Sequence, residues 1–125
     1  MGRASSTSRQ EKAIIIISTF PNEESVFRLT KHVINNSLCA CVNFTQVRSL
    51  YTWKGKVEDQ HEWVALFKTT SSVAAQLKSE IAKLHPYEVP EIIEIQTKDV
   101  NGPYMSWLAG SVHSISKNGH YASKR

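Results

Sequence analysis

A long β-strand pattern over residues 40–57 constrains the fold of this chain more than any other feature. The stretch is ACVNFTQVRSLYTWKGKV, in which Val47, Tyr51 and Trp53 share one face of an extended backbone. Typical strands have about 5–6 residues, so a strand of this length runs past the sheet of a small domain. We therefore expect the excess length to find a partner in a second chain.

Two further segments are continuously apolar, which is typical of central strands covered on both faces. They are AIIIIS at Ala13–Ser18 and the middle of HEWVALFKT at His61–Thr69. A third segment, EIIEIQT at Glu91–Thr97, follows Pro90, and a proline at the start of a strand favours a sheet edge. Residues Gly55–Gln60 are predicted to form a polar turn.

Helical periodicity appears between these strands. Apolar spacing predicts a first helix to about Asn36 and a second that Pro86 ends, because the residue before proline avoids the α region. The two apolar stripes are Val26, Leu29 and Val33, then Val73, Leu77, Ile81 and Leu84. A short helix after Gly102-Pro103 places Tyr104, Trp107 and Leu108 on one face. The order β-α-β-β-α-β plus a terminal helix predicts an α+β fold, the ferredoxin-like split βαβ sandwich, with strands one and three central.

The length of 125 residues suits one domain, which we place at 13–112. Residues 1–12 are interpreted as a disordered polar and basic arm, and residues 113–125 as a basic flexible tail. The net charge of +4 is concentrated in these ends, which argues against specific nucleic-acid binding. There is no apolar run of membrane-spanning length and no secretory leader pattern, so a cytoplasmic protein with free thiols is expected.

Three residues carry candidate metal chemistry, one histidine and two cysteines. His85 follows the second helix in LHPYEVPEII, and imidazole is a common metal ligand, but the ring could equally cap the end of that helix. Cys39 and Cys41 are soft ligands suited to Cu(I), or else small apolar residues that pack in the core.

Two charged residues and several aromatic side chains are candidates for a ligand pocket. Glu62 and Lys68 share one strand face, where they could bind a zwitterion or form a salt bridge between subunits. The aromatic candidates, which could stack on a ligand or pack between subunits, are Tyr51, Trp53, Tyr87, Tyr104 and Trp107. There is no nucleophile triad, glycine-rich phosphate loop or zinc-spaced Cys/His cluster, so we do not expect an enzyme.

Several short motifs occur together in one order along residues 13–110. They are CVN at Cys41–Asn43, the Y-x-W-x-G of Tyr51, Trp53 and Gly55, then Glu62, Lys68-Thr69, HPYE at His85–Glu88 with Pro90, and finally Tyr104 with Trp107. In this combination the chain resembles the CutA divalent-cation-tolerance family. The resemblance implies a ferredoxin-like subunit in a tight homotrimer, an association with copper and other divalent cations, a pocket between subunits, and no secure enzyme activity.

Two departures from the family pattern bear on the metal site. The stretch FTQVRSL between Asn43 and Tyr51 lacks the usual Pro-Gly turn. Ser18 and Leu84 stand where some copper-linked members have a cysteine and a second histidine, which leaves His85 alone of that set.

The sequence therefore predicts a cytoplasmic homotrimer that binds copper or another divalent cation weakly at or near the subunit interface. His85 and Cys41 are the predicted metal ligands, and Glu62, Lys68 and Tyr87 are the predicted pocket residues. One alternative is a trimeric sensor of a small anionic metabolite, which would depend on Lys68. Another is a purely structural trimer whose partners bind its tails.

Overall fold

The computed structural model describes residues 10–114 as four strands and three helices. In chain order the elements are β1 (Ala13–Phe20), α1 (Glu23–Asn35), β2 (Cys41–Trp53), β3 (Lys56–Thr70), α2 (Ala74–Leu84), β4 (Ile93–Gln96) and α3 (Gly102–Gly110). The strands form one antiparallel sheet in the order β2-β3-β1-β4. The predicted ferredoxin-like α+β plan is confirmed, with β1 and β3 at the centre.

Helices α1 and α2 cover one face of this sheet. The side chains of Ile14, Ile16 and Phe20 alternate along β1 onto that face and are almost fully buried. They pack in one core with the stripes of both helices, among them Val33 and Leu77. The opposite face of the sheet, called here the open face, carries half-exposed apolar residues such as Ile93 and Ile95.

Strands β2 and β3 form a long hairpin whose turn differs from the predicted one. β2 ends at Trp53, Lys54 and Gly55 make a two-residue turn, and β3 begins at once at Lys56. The predicted polar turn over Gly55–Gln60 is wrong, as is the extension of the second strand to residue 57. Apart from Val57, residues 56–60 are polar, because this part of β3 lies outside the core, where a strand has no need of an apolar face.

The outer part of this hairpin projects beyond the rest of the sheet. β1 pairs with β3 only from Trp63 to Thr70, so no third strand of residues 10–114 lies beside the pairs from Val47↔Glu62 to Trp53↔Lys56. We call residues 47–62 the hairpin arm. At about 3.3 Å per residue its seven pairs extend roughly 23 Å. Its exposed apolar side chains are Leu50, Tyr51, Trp53 and Val57.

Smaller differences occur near the other elements. β4 is shorter than the predicted Glu91–Thr97, and Leu84, expected in the buried stripe of α2, is half-exposed. On α3 only Leu108 is buried, whereas Trp107 stays half-exposed.

The predicted terminal segments fall mostly outside the described residues, so their boundaries stay predictions. Glu11, at the end of the expected arm, is described: its carboxylate accepts hydrogen bonds from the Ser71 hydroxyl at 2.9 Å and the Ser72 backbone N–H at 3.1 Å. Over the described range of 10–114, no helix has the length and apolar character needed to cross a bilayer.

Candidate functional site

His85 lies at the corner where α2 ends. Its backbone is extended, with φ −69° and ψ 139°, as the following Pro86 requires. The imidazole ring is stacked between two aromatic rings, with centroid distances of 4.5 Å to Phe20 and 5.4 Å to Tyr87. The ring therefore packs against the end of β1 in place of the helix-capping contact considered from the sequence.

Both ring nitrogens of His85 have partners. The backbone N–H of Tyr87 donates to Nδ1 at 3.1 Å, and Nε2 lies 3.1 Å from Oγ of Ser18. A backbone N–H can only donate, so Nδ1 is the acceptor and the neutral ring carries its proton on Nε2. Burial lowers the pKa of His85 from its ordinary value, against smaller opposing effects of the Thr19 backbone and the Glu62 carboxylate.

Tyr87 connects this corner to the base of the hairpin arm. Its hydroxyl donates to Oε2 of Glu62 at 2.6 Å. Glu62 is only 7% exposed, and within residues 10–114 this is the one hydrogen bond that reaches its carboxylate. Burial and the adjacent Glu62 carboxylate raise the pKa of Tyr87 far above its ordinary value, so the phenol stays a hydrogen-bond donor at physiological pH.

A concavity of about 660 Å³ opens beside this pair, between the open face of the hairpin arm and the loop after α2. Its carboxylates come from both sides: Glu58 and Glu62 from β3, Glu88 and Glu91 from the loop. Tyr51, Trp53 and Tyr87 supply aromatic walls. Within the described chain, no Lys, Arg or His lines this concavity.

Cys41 and Lys68 lie in a different part of the sheet. They are paired across β2 and β3, and the Lys68 ammonium donates a short hydrogen bond to Oδ1 of Asn43. Lys68 lies six positions after Glu62 along β3, which is about 20 Å of extended chain. Burial raises the pKa of the neighbouring Cys39 to about 12, so that thiol stays protonated.

The structure thus brings together three of the five predicted site residues, His85, Tyr87 and Glu62. Cys41 projects from the open face, whereas the His85 ring contacts Ser18 on the helix-covered face, so the two do not meet in one chain. No three His, Cys, Asp or Glu side chains of residues 10–114 are grouped closely enough to hold a metal ion.

Sequence reasoning missed the hydrogen-bonding role of Ser18 and the carboxylate lining. Ser18 was detectable as the one polar residue in the buried run AIIIIS, because a buried hydroxyl normally has a partner. The lining was not detectable, because Glu58 and Glu88 come from segments 30 residues apart and meet only in the folded chain.

The fold and the His85 corner have counterparts in known proteins. The sequence profile described as CutA1 divalent ion tolerance protein matches residues 14–111, which include the whole sheet, the hairpin arm and the His85 corner. The chain belongs to the CutA1 family. The divalent-cation tolerance protein CutA of Thermotoga maritima is 42% identical over 99 residues, covering 79% of this chain and 98% of that protein.

Solved CutA1 structures share the fold. The crystal structure of CutA1 from Pyrococcus horikoshii aligns with a TM-score of 0.77 at 39% identity, covering 79% of this chain and 97% of that one. A structure named as the periplasmic divalent cation tolerance protein CutA of Archaeoglobus fulgidus aligns with a TM-score of 0.74 at 29% identity, covering 77% and 94%. The CutA1 family is named for tolerance of divalent ions and not for a reaction.

Proposed function

We propose that this CutA1 family member is a homotrimer that binds copper or another divalent cation weakly and contributes to metal tolerance. The hairpin arm is the observation that carries the proposal. Among residues 10–114, neither edge of the arm has a strand partner, and the apolar side chains Leu50, Trp53 and Val57 of the arm are exposed. A strand edge of this kind is satisfied by another chain, and a closed ring of identical copies leaves no such edge unpaired.

The proposed metal ligands are His85 and Cys41, one an imidazole and the other a thiol suited to copper. In one chain they lie on opposite faces of the sheet, so a shared ion would be held by residues of two chains. An ion at Nδ1 of His85 would displace the backbone N–H of Tyr87. The loss of that hydrogen bond is the physical reason to expect weak binding.

The proposal also includes a ligand pocket beside the metal site. Glu62 and Tyr87 form a ligand pocket near the subunit interface, with Lys68 as a more distant member. The anionic-metabolite alternative is less well supported, because Lys68 lies about 20 Å along β3 from Glu62 and is bonded to Asn43.

We further propose a cytoplasmic, non-catalytic protein without specific nucleic-acid or membrane partners. The Archaeoglobus relative is named as periplasmic, so cell fractionation is the direct test of location.

Native mass spectrometry with and without copper tests the proposal. We expect a trimer that takes up copper, loses it to a chelator, and binds less after His85→Gln or Cys41→Ser. His32→Gln is the matched control, because this histidine lies on α1, away from the hairpin arm. A monomer, or a trimer that takes up no copper, would refute the proposal, as would an equal loss of copper in the control.

A further inference from the structure

A small apolar patch lies exposed on the outer side of α1. Phe27 and Ile34 are 52% and 37% exposed, and they stand about two helical turns apart on one side of the helix. Between them, Nζ of Lys31 lies 5.5 Å from the centroid of the Phe27 ring. The patch contains no residue of the hairpin arm or of the open face, so the proposed assembly does not account for it.

The described part of the chain ends beside the same helix. After α3, Val112 lies in the same core cluster as Leu38, and the backbone N–H of His113 donates to the carbonyl oxygen of Ser37 at 2.8 Å. Ser37 comes directly after Asn36, the C-cap of α1. Residues 115–125 therefore start at the C-terminal end of α1, which is the end that carries Ile34.

The length of residues 115–125 is sufficient to cover the patch. Phe27 lies ten positions before Ser37, which is about 15 Å along a helix. From Ser114 to Tyr121 the chain can extend about 23 Å, at roughly 3.3 Å per residue. Tyr121 can therefore reach Phe27 without full extension. The CutA1 profile ends at residue 111, so this segment lies outside the part of the chain that matches the family.

The composition of residues 115–125 suits the outer side of α1. The segment reads ISKNGHYASKR, with one tyrosine, Tyr121, and three Lys or Arg residues but no acidic residue. The first turn of α1 has the opposite charge, and among residues 10–114 no ion pair reaches Glu23. A segment that runs antiparallel to α1 brings Lys124 and Arg125 to this free carboxylate, where opposite charges favour one orientation.

The amino-terminal arm suits this surface less well. Residues 1–9 read MGRASSTSR and contain one large apolar side chain, that of Met1. The arm joins the domain near Glu11, whose carboxylate is bonded to Ser71 and Ser72 ahead of α2. It therefore has neither an aromatic residue to pack on the patch nor a starting point beside α1.

We propose that residues 115–125 bind along the outer side of α1 in their own chain. Tyr121 packs on Phe27, and the basic residues that follow it lie beside Glu23. Contact between the two rings is favourable because aromatic pairs attract each other beyond the effect of the area that they bury. The inference goes beyond the proposed metal tolerance and does not depend on it, since all the residues belong to one chain and none is a proposed metal ligand.

Limited trypsin digestion of the 125-residue protein, followed by intact mass, tests this contact through cleavage after Lys117. Proteolysis follows the population of the open form, so a bound segment is cut slowly. We expect Phe27→Ala and Tyr121→Ala each to speed this cleavage roughly three- to tenfold, which corresponds to the loss of one aromatic pair. The double variant should be no faster than either single variant, because both changes remove the same contact. Leu84→Ala, which shortens an exposed side chain on α2, is the matched control and should be cut at the wild-type rate.

Nuclear Overhauser effects between the Tyr121 ring and Phe27 or the Ile34 methyl groups give the contact directly. A sample mixed from labelled and unlabelled chains separates contacts within one chain from contacts between chains, and we expect contacts within the chain. Equal cleavage of the wild type and Phe27→Ala, additive effects in the double variant, or faster cleavage of the control would overturn the proposal. Contacts of Phe27 with residues 1–9 or with another chain would overturn it as well, because the patch would then have a different occupant.

Discussion

At the scale of single residues, His85 makes the stability of the molecule depend on pH. Burial lowers its pKa, and the Tyr87 N–H occupies the nitrogen that a second proton would need. The unfolded chain therefore binds this proton more readily than the folded chain does. The stabilising contribution of the neutral ring is fully present above the unfolded pKa of about 6.5 and is lost as pH falls below it.

We predict that the stability difference between the wild type and His85→Gln shrinks from about pH 7.5 to about pH 5, in line with this linkage. Thermal unfolding of both proteins over that range gives the difference, and an NMR titration of the His85 ring gives the pKa directly. A difference that stays constant with pH, or a pKa above 6.5, would contradict the prediction.

The candidate residues of the site could be predicted from the sequence, but the contacts between them could not. HPYE and Glu62 were recognisable as candidates, yet their contact depends on how the loop after α2 passes the end of β1. Ring stacking of His85 on Phe20 likewise joins residues 65 positions apart, through a tertiary contact that no local pattern encodes.

At the scale of elements, the turn of the hairpin arm depends on one glycine. Lys54 and Gly55 have φ of 53° and 80°, the left-handed pair that a two-residue type I′ hairpin requires. Gly55→Ala should destabilise the arm by about 1 kcal/mol, because a Cβ is disfavoured at this φ. Lys54→Asn should stabilise it by a few tenths of a kcal/mol, since Asn adopts this conformation more readily.

Hydrogen exchange of the arm amides measures both effects. Gly110→Ala is the control, because an added Cβ meets no atom within 4 Å at Gly110 or Gly55, and only Gly55 has a positive φ. Unchanged arm protection in Gly55→Ala, or an equal loss in the control, would show that backbone strain at the turn is not the cause.

Element order and type followed from hydrophobic pattern, because β1 and the core half of β3 are apolar on both faces and helices α1 and α2 have clear stripes. The start of β3 could not be predicted from this pattern. Its residues Lys56–Gln60 lie outside the core, so the pairing that makes them a strand comes from β2 and leaves no apolar signature. Lys54-Gly55 between two extended segments was the available signal for the turn.

At the scale of the whole molecule, the exposed arm predicts that assembly depends on its aromatic residues. Trp53 is 47% exposed in the single chain. Trp53→Ala should weaken the proposed trimer roughly tenfold or more per interface, as truncation of a buried interface tryptophan commonly does. Analytical ultracentrifugation over a dilution series measures the dissociation.

The matched control is Phe27→Ala, which removes an equally exposed aromatic side chain from the outer surface of α1. This variant should assemble as the wild type does. A Trp53→Ala protein with an unchanged dissociation constant would argue that the arm is not the assembly surface.

The free outer edge of β2 has a consequence for the chain before it assembles. Along β2 (Cys41–Trp53), alternate residues direct their backbone donors and acceptors outward, and no strand of residues 10–114 pairs with them. Such an edge is a template for any other extended segment, and for amyloid-like stacking of identical copies. The charged side chain of Arg48 interrupts this template. In the proposed trimer this edge is paired, so the free chain is the state most exposed to misassociation, to chaperones and to proteases, and rapid assembly shortens the time that a chain spends in it.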